Sequence, residues 1–325
     1  MRRMFLVAVL MMMTPAFADD DANERLLGNS RNGSVPGIRM ALKDGAKINE
    51  AHDHEYNTAL MLAAGGGHLE AVKVLVDNGA DVNKVSEGSS YSTALIEAGD
   101  TGSPQVIAYL LSKGAKVNEA TSYKQSALIR AAYSGKAANI RALIAGGADV
   151  NMMDDAGAAI HAASMNGHGD AVTALIAGKA NVNLPGSSHY VTALMLAAEK
   201  GHANVVQLLL DAKADVNMKS VVKRQALEYA AEKGHAAIVR MLVAKGADLN
   251  NQNSENGRTA LYAAACKGHV ETVRILLAAK ADPNIKSTNV DYTPLKCASE
   301  NFERIDEAQH RQLMDLLRKA GARME

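Results

Sequence analysis

Apolar residues along this chain fall into short paired runs separated by small or polar residues, and one spacing returns throughout. The segments TALMLAAGGGHLEAVKVLVDNGADVN (58–83), TALMLAAEKGHANVVQLLLDAKADVN (192–217) and TALYAAACKGHVETVRILLAAKADPN (259–284) superimpose without a gap. Units begin at Thr58, Thr93, Ser126, Ala158, Thr192, Gln225, Thr259 and Thr293, and close at Asn83, Asn118, Asn151, Asn183, Asn217, Asn250 and Asn284. From start to closing asparagine is 25 residues in all seven complete copies, whereas the connection to the next start, counting from Asn49, varies between 7 and 10. Length changes fall in the connections and none in the framework, as expected of a repeat that packs on its neighbours.

Each copy predicts two helices. The Thr hydroxyl at the start caps the first, and paired alanines (Ala63-Ala64, Ala131-Ala132, Ala197-Ala198, Ala230-Ala231) let neighbouring helices approach closely. Gly67, Gly102, Gly135, Gly167, Gly201, Gly234 and Gly268 share one offset, where a left-handed residue is expected to end that helix. The second helix supplies an apolar ridge such as Val74-Leu75-Val76 or Leu208-Leu209-Leu210.

The recurring TAL-x-x-AA-x-x-GH and LL-x-x-GADVN resemble the ankyrin repeat, over essentially all of the chain after residue 18. The resemblance implies an all-α solenoid, with a helix-turn-helix and a β-turn finger per repeat and about nine units including degenerate caps. A single domain is expected over 19–325, with an N-terminal cap at 19–50 (Leu26, Gly33, Ile38, Gly45), seven full repeats at 51–292 and a C-terminal cap at 293–325. Lys179, Lys213 and Lys280 replace the glycine that ends the second helix, so local geometry there is in question.

The start, MRRMFLVAVLMMMTPAFADDD, reads differently. A basic Arg2-Arg3, an unbroken apolar run from Phe5 to Met13 and a small-x-small site at Ala16-Phe17-Ala18 predict a cleavable signal peptide over 1–18. The run is too short for a permanent anchor. The expected location is the periplasm, with the extracellular space as an extension of it. Without the two signal arginines, 33 basic residues face 35 acidic ones, a balance that points to neither nucleic acid nor an anionic membrane surface.

AHDHEYNTALMLAAGGGH (51–68) has the look of an active site, but the repeat frame dissolves most of it. Gly65-Gly66-Gly67 ends a helix, whereas a phosphate loop precedes one and continues into Lys and Ser/Thr. His68 returns as His168, His202, His235 and His269 at a fixed offset, and His161 stands at the histidine of a TPLH-type opening, so these read as structural hydrogen bonders. His52 and His54 lie in a finger with no further ligands evident, short of the four that a structural zinc site shows. Cys266 and Cys297 are expected as free thiols, because packed helices lie about 8–10 Å apart and a disulfide needs Cα atoms within about 7 Å. No catalytic set, metal or cofactor is expected.

Function is then expected on the surface the framework leaves free, which the resemblance places on a concave face of fingers and first helices. Of nine tyrosines, Tyr56, Tyr91, Tyr123, Tyr190 and Tyr292 are in fingers, and Tyr133 and Tyr229 occupy outward positions of first helices. Tyr56, Tyr91 and Tyr190 stand two residues before a repeat start, where Gly257 shows the family's turn glycine. Glu97, Asp100, Arg130, Glu199, Glu232 and Lys233 complete the candidate partner-binding set, with Lys200 and Lys267 beside them. Their mixed charge suits a folded protein better than a polyanion. The expected function is a non-enzymatic, monomeric module gripping an exported enzyme: a self-protection inhibitor of a cell-wall hydrolase, or a helper of a stress enzyme such as catalase. The alternative is a secreted effector acting on a host or prey protein.

Overall fold

The computed structural model describes residues 15–51, 56–86, 91–300 and 306–324. Among them the chain forms eighteen helices and no strand, in two compact units, 1–149 and 150–325. The first holds α1 (Pro15–Arg31), α2 (Val35–Lys43), α3 (Ala59–Gly65), α4 (Leu69–Asp77), α5 (Ala94–Asp100), α6 (Pro104–Ser112), α7 (Ala127–Tyr133) and α8 (Ala137–Ala145). The second holds α9 (Ala159–Met165), α10 (Gly169–Ala177), α11 (Ala193–Lys200), α12 (Ala203–Asp211), α13 (Ala226–Lys233), α14 (Ala236–Ala244), α15 (Ala260–Lys267), α16 (Val270–Ala278), α17 (Pro294–Glu300) and α18 (Glu307–Lys319). Within each unit, first helices pack on first helices and second helices on second helices.

The repeat motif maps onto this arrangement residue by residue. Thr58, Thr93, Ser126, Thr192 and Thr259 accept the backbone N–H three residues on, each an N-cap of the kind that contributes about 1 kcal/mol. Ala158 has no hydroxyl, and there His161 takes over: its Nδ1 accepts the Ala158 N–H at 3.1 Å while its Nε2–H donates to the Leu184 carbonyl at 3.0 Å. That pair of bonds fixes a neutral tautomer, and burial lowers the imidazole pKa below its ordinary value. The alanine pairs are fully buried between layers.

The histidines after the first helices join consecutive repeats. Through Nε2, His68 donates to the Arg31 carbonyl, His202 to Met165, His235 to Glu199 and His269 to Glu232, at 2.9–3.1 Å. The closing asparagines do the same at the opposite end of each repeat. Asn49 accepts the Asp81 N–H, Asn83 that of Lys116, Asn183 that of Asp215, Asn217 that of Asp248, Asn250 that of Asp282 and Asn284 that of Arg323.

One expectation about a helix end needs correction, and one open question is answered. Gly102 is not left-handed; a Cβ on it would stand 2.5 Å from the Ala64 carbonyl oxygen, so it is small because two helices meet there. The buried Asn139 reaches across from α8 and donates to the carbonyls at this end of α5. Conversely, Lys179, Lys213 and Lys280 keep the left-handed turn that glycine makes elsewhere, with φ of 67°, 65° and 70°.

The cysteines also differ from expectation. Cys266 on α15 and Cys297 on α17 form a disulfide, with Cα atoms 5.2 Å apart. The expectation of free thiols took the distance between helix axes for the distance between residues. Facing Cα atoms each stand about 2.3 Å inside the axis-to-axis distance, and that difference decides whether a bridge closes.

Candidate functional site

The position two residues before a repeat start is left-handed at every start but Ala158, and the chain places side chains on it. Tyr56, Tyr91, Lys124, Tyr190, Lys223 and Asp291 adopt φ between 49° and 59° there, beside Gly257 at 66°. A left-handed L-residue costs roughly 1–2 kcal/mol. At Gly257 nothing larger fits, since a Cβ would stand 2.4 Å from Thr288 Cγ2. At Tyr56, Tyr91 and Tyr190 the ring instead projects outward, 50 %, 53 % and 58 % exposed.

In the first unit Tyr56, Tyr91 and Tyr123 occupy consecutive fingers, and Tyr133, also exposed, ends α7. The charged candidates nearby are already engaged. Asp100 on α5 pairs with Arg130 on α7 and accepts the Ser134 hydroxyl, and Glu97 accepts the Ser92 hydroxyl. These side chains set the shape of the face and are less available to a partner than the tyrosines.

In the second unit the candidates divide. Tyr190 projects, and Lys233 is exposed. Tyr229 does not project: the Arg224 guanidinium lies 4.1 Å from its ring centre, and burial raises its hydroxyl pKa in spite of that cation. Glu232 is held by Arg224, and Glu199 is half-exposed at the end of α11. Tyr292 is likewise covered, by Lys296 at 5.6 Å.

Sequence reading missed a buried polar cluster in this unit. Glu228 on α13 is 4 % exposed, accepts from Asn253 Nδ2 at 2.6 Å, and lies 3.2 Å from Arg224 Nε. Burial pushes its carboxyl up to about 7, against the opposing pull of Arg224 and Asn253. The signal was present: in the other full repeats this column holds Met61, Ile96, Ile129, His161, Met195 and Tyr262, all buried. A glutamate in a buried column announces a polar pocket.

His52 and His54 lie outside the described residues. Among the described residues, no group of three His, Cys, Asp or Glu is placed to hold a metal, and no helix is long and apolar enough to cross a membrane.

A family model described as ankyrin repeats (3 copies) matches residues 26–121, 86–154, 128–220, 160–253 and 227–324. The crystal structure of the human ASB11 ankyrin repeat domain is similar, at 29 % identity and a TM-score of 0.63, over 70 % of this chain and 100 % of that one. No curated protein matches the chain.

Proposed function

Because this chain belongs to the ankyrin-repeat family, in general a non-catalytic scaffold for protein–protein interaction, we propose that it binds an exported enzyme through its fingers and first helices. Projecting tyrosines at left-handed finger positions carry this reading. Their backbone conformation is unfavourable for any side chain, and their rings are half exposed, so local packing is a poor reason to keep them. Tyrosine is enriched among residues whose truncation costs a binding interface about 2 kcal/mol or more. Tyr56, Tyr91, Tyr123 and Tyr133 are the contact residues of this proposal in the first unit, with Glu97, Asp100 and Arg130 holding their surroundings in shape; Tyr190, Lys233 and Glu199 are those of the second unit, where Glu232 and Tyr229 do the same.

Export to the periplasm is part of the same proposal. It is supported by the leader-like residues 1–18 and by the Cys266–Cys297 disulfide, a bond that persists in oxidising compartments. Cleavage after Ala18 would leave Asp19, Asp20 and Asp21 in the first turn of a shortened α1, where negative charge favours a helix. A self-protection role, covering the cleft of a cell-wall hydrolase, requires no chemistry from this chain. The test is affinity capture from a periplasmic extract, followed by assay of the captured enzyme with and without this protein. Lost activity supports inhibition, gained stability supports a helper role, and a partner found only in a host or prey lysate would replace this reading with that of a secreted effector.

A further inference from the structure

The Cys266–Cys297 bridge stands at a place that other repeats fill without a covalent bond. Counted from the repeat starts, Asp100 is where Cys266 is and Arg130 where Cys297 is, and those two meet as an ion pair. Gly65 and Glu97 occupy the same two places, and a Cβ on Gly65 would stand 3.5 Å from that of Glu97. The two cysteines are not equally covered. Cys297 is buried, at 7 % exposure, whereas Cys266 is half-buried. Cys266 also lines a cleft of about 250 Å³, together with Glu228 and Glu232 of α13, Ala263 and Lys267 of α15 and Arg258 of the finger before α15. No described residue of α17 lines this cleft. It reaches Cys266 from the α13 side, away from the helix that carries Cys297.

Thiol–disulfide exchange proceeds by a thiolate approaching in line with the sulfur–sulfur bond, opposite the sulfur that leaves, and its rate follows access to the attacked sulfur. A cleft that opens on one cysteine, from the side away from the other, supplies that approach. Its volume exceeds the ~30 Å³ share of one water and falls short of the ~300–1,000 Å³ of pockets for drug-sized molecules, so it suits a thiol of a few heavy atoms. We propose that the Cys266–Cys297 bridge is a site of thiol–disulfide exchange in the folded protein, with a low-molecular-weight dithiol as reductant and Cys266 as the cysteine attacked. One thiolate of the dithiol bonds to Cys266 Sγ as the bridge breaks, and Cys297 Sγ takes the electron pair and then a proton. The second thiolate of the dithiol attacks the first sulfur of the same molecule, closing a cyclic disulfide, and Cys266 leaves and is protonated. Two electrons thus pass to the protein, and both cysteines end as thiols. Other ties hold α17 and α18 meanwhile. Asn284 bonds the Gly321 carbonyl and the Arg323 N–H, the Thr293 hydroxyl donates to the Arg323 carbonyl, and Leu295, Leu313 and Leu317 are buried. The thiols are left facing each other, so the bridge can form again. The site does not depend on the partner-binding proposal.

The test is the rate at which dithiothreitol reduces the bridge in the full chain at neutral pH, with and without urea below the unfolding transition. Direct attack gives a rate proportional to dithiothreitol concentration, and such urea should change it by less than about twofold. Attack that waits for unfolding instead rises steeply with urea or saturates at the opening rate. A second measurement identifies the attacked cysteine. With the small disulfide hydroxyethyl disulfide, the Cys266 thiol of Cys297→Ser should form a mixed disulfide about tenfold faster than the Cys297 thiol of Cys266→Ser. A reduction rate that climbs with urea as unfolding does, a rate that saturates, or a Cys297 thiol that reacts as fast as Cys266 would overturn the assignment. If the single variants do not fold, the urea series on the wild-type chain decides alone.

Discussion

Asn217 binds the repeat it closes to the one that follows: its Oδ1 accepts the Asp248 N–H at 2.8 Å, and its Nδ2 donates to the Gly246 carbonyl at 3.1 Å. The same bonds recur at Asn83 and Asn284. Each is exposed, so each contributes little alone, but the series fixes the register of one repeat on the next. Asn217→Ala removes both bonds and should destabilise the protein by about 1–2 kcal/mol, whereas Asn217→Asp keeps the acceptor and should lose about half as much. Urea unfolding of the three proteins checks the order.

The Cys266–Cys297 bridge closes a loop between residues 31 apart and ties the last helix pair to the full repeat before it. Constraining a loop of that length in the unfolded chain is worth about 3–4 kcal/mol. Cys266→Ser with Cys297→Ser should lower unfolding stability by that amount. Reduced wild type should coincide with the double variant, and a reductant should leave the variant unmoved.

Glu228 gives the protein an unusual pH response. Its folded carboxyl is raised to about 7 from a reference of 4.5, so between those values the folded state binds more protons than the unfolded one. Stability from this group is therefore complete below about pH 4.5 and is lost as pH rises through 7, up to about 3 kcal/mol. His161, with its pKa lowered by burial, acts in the other direction: stability falls as pH drops below 6.5. Glu228→Gln should be more stable than wild type at pH 8 and nearly equal to it at pH 4.5. Unfolding measured from pH 4.5 to 8.5 checks both slopes.

Tyr190 separates packing from binding. It is left-handed at φ 53° and 58 % exposed, so glycine there relieves strain of about 1–2 kcal/mol against a gain in unfolded-chain entropy of about 1 kcal/mol. Tyr190→Gly should lie within about 1 kcal/mol of wild type in stability while binding its partner more weakly. A loss above about 2 kcal/mol would identify the ring as structural. Gly257 reverses this logic, because any side chain there meets Thr288.

Most of the fold was legible because each framework residue recurs at one offset, so caps, alanine pairs, linking histidines and closing asparagines could be found together. What recurs once could not be found that way. Gly102 shares its offset with the left-handed glycines yet serves a close contact, which depends on α3 and not on the residue itself. The cysteine bridge turned on a few ångströms between facing Cα atoms, beyond the reach of mean helix spacing. Asp100 and Arg130 read as separate outward charges, although Asp100 at the end of α5 and Arg130 about one turn earlier in the frame of α7 meet across the stack. Tyr56, Tyr91 and Tyr190 were legible because a bulky residue replaced a turn glycine. The Glu228 pocket was legible in principle, from one acid in a buried column, and was passed over for the surface.

The most direct measurement of the binding account is the affinity of the captured partner for wild-type protein and for a variant with Tyr56, Tyr91, Tyr123 and Tyr190 changed to Ala. The variant should remain folded, within about 1 kcal/mol of wild type, because these rings are half exposed or more. Its affinity should fall about 30-fold or further, the equivalent of 2 kcal/mol. A partner held equally well by both proteins, or no partner held by either, would contradict the claim that these tyrosines contact the partner.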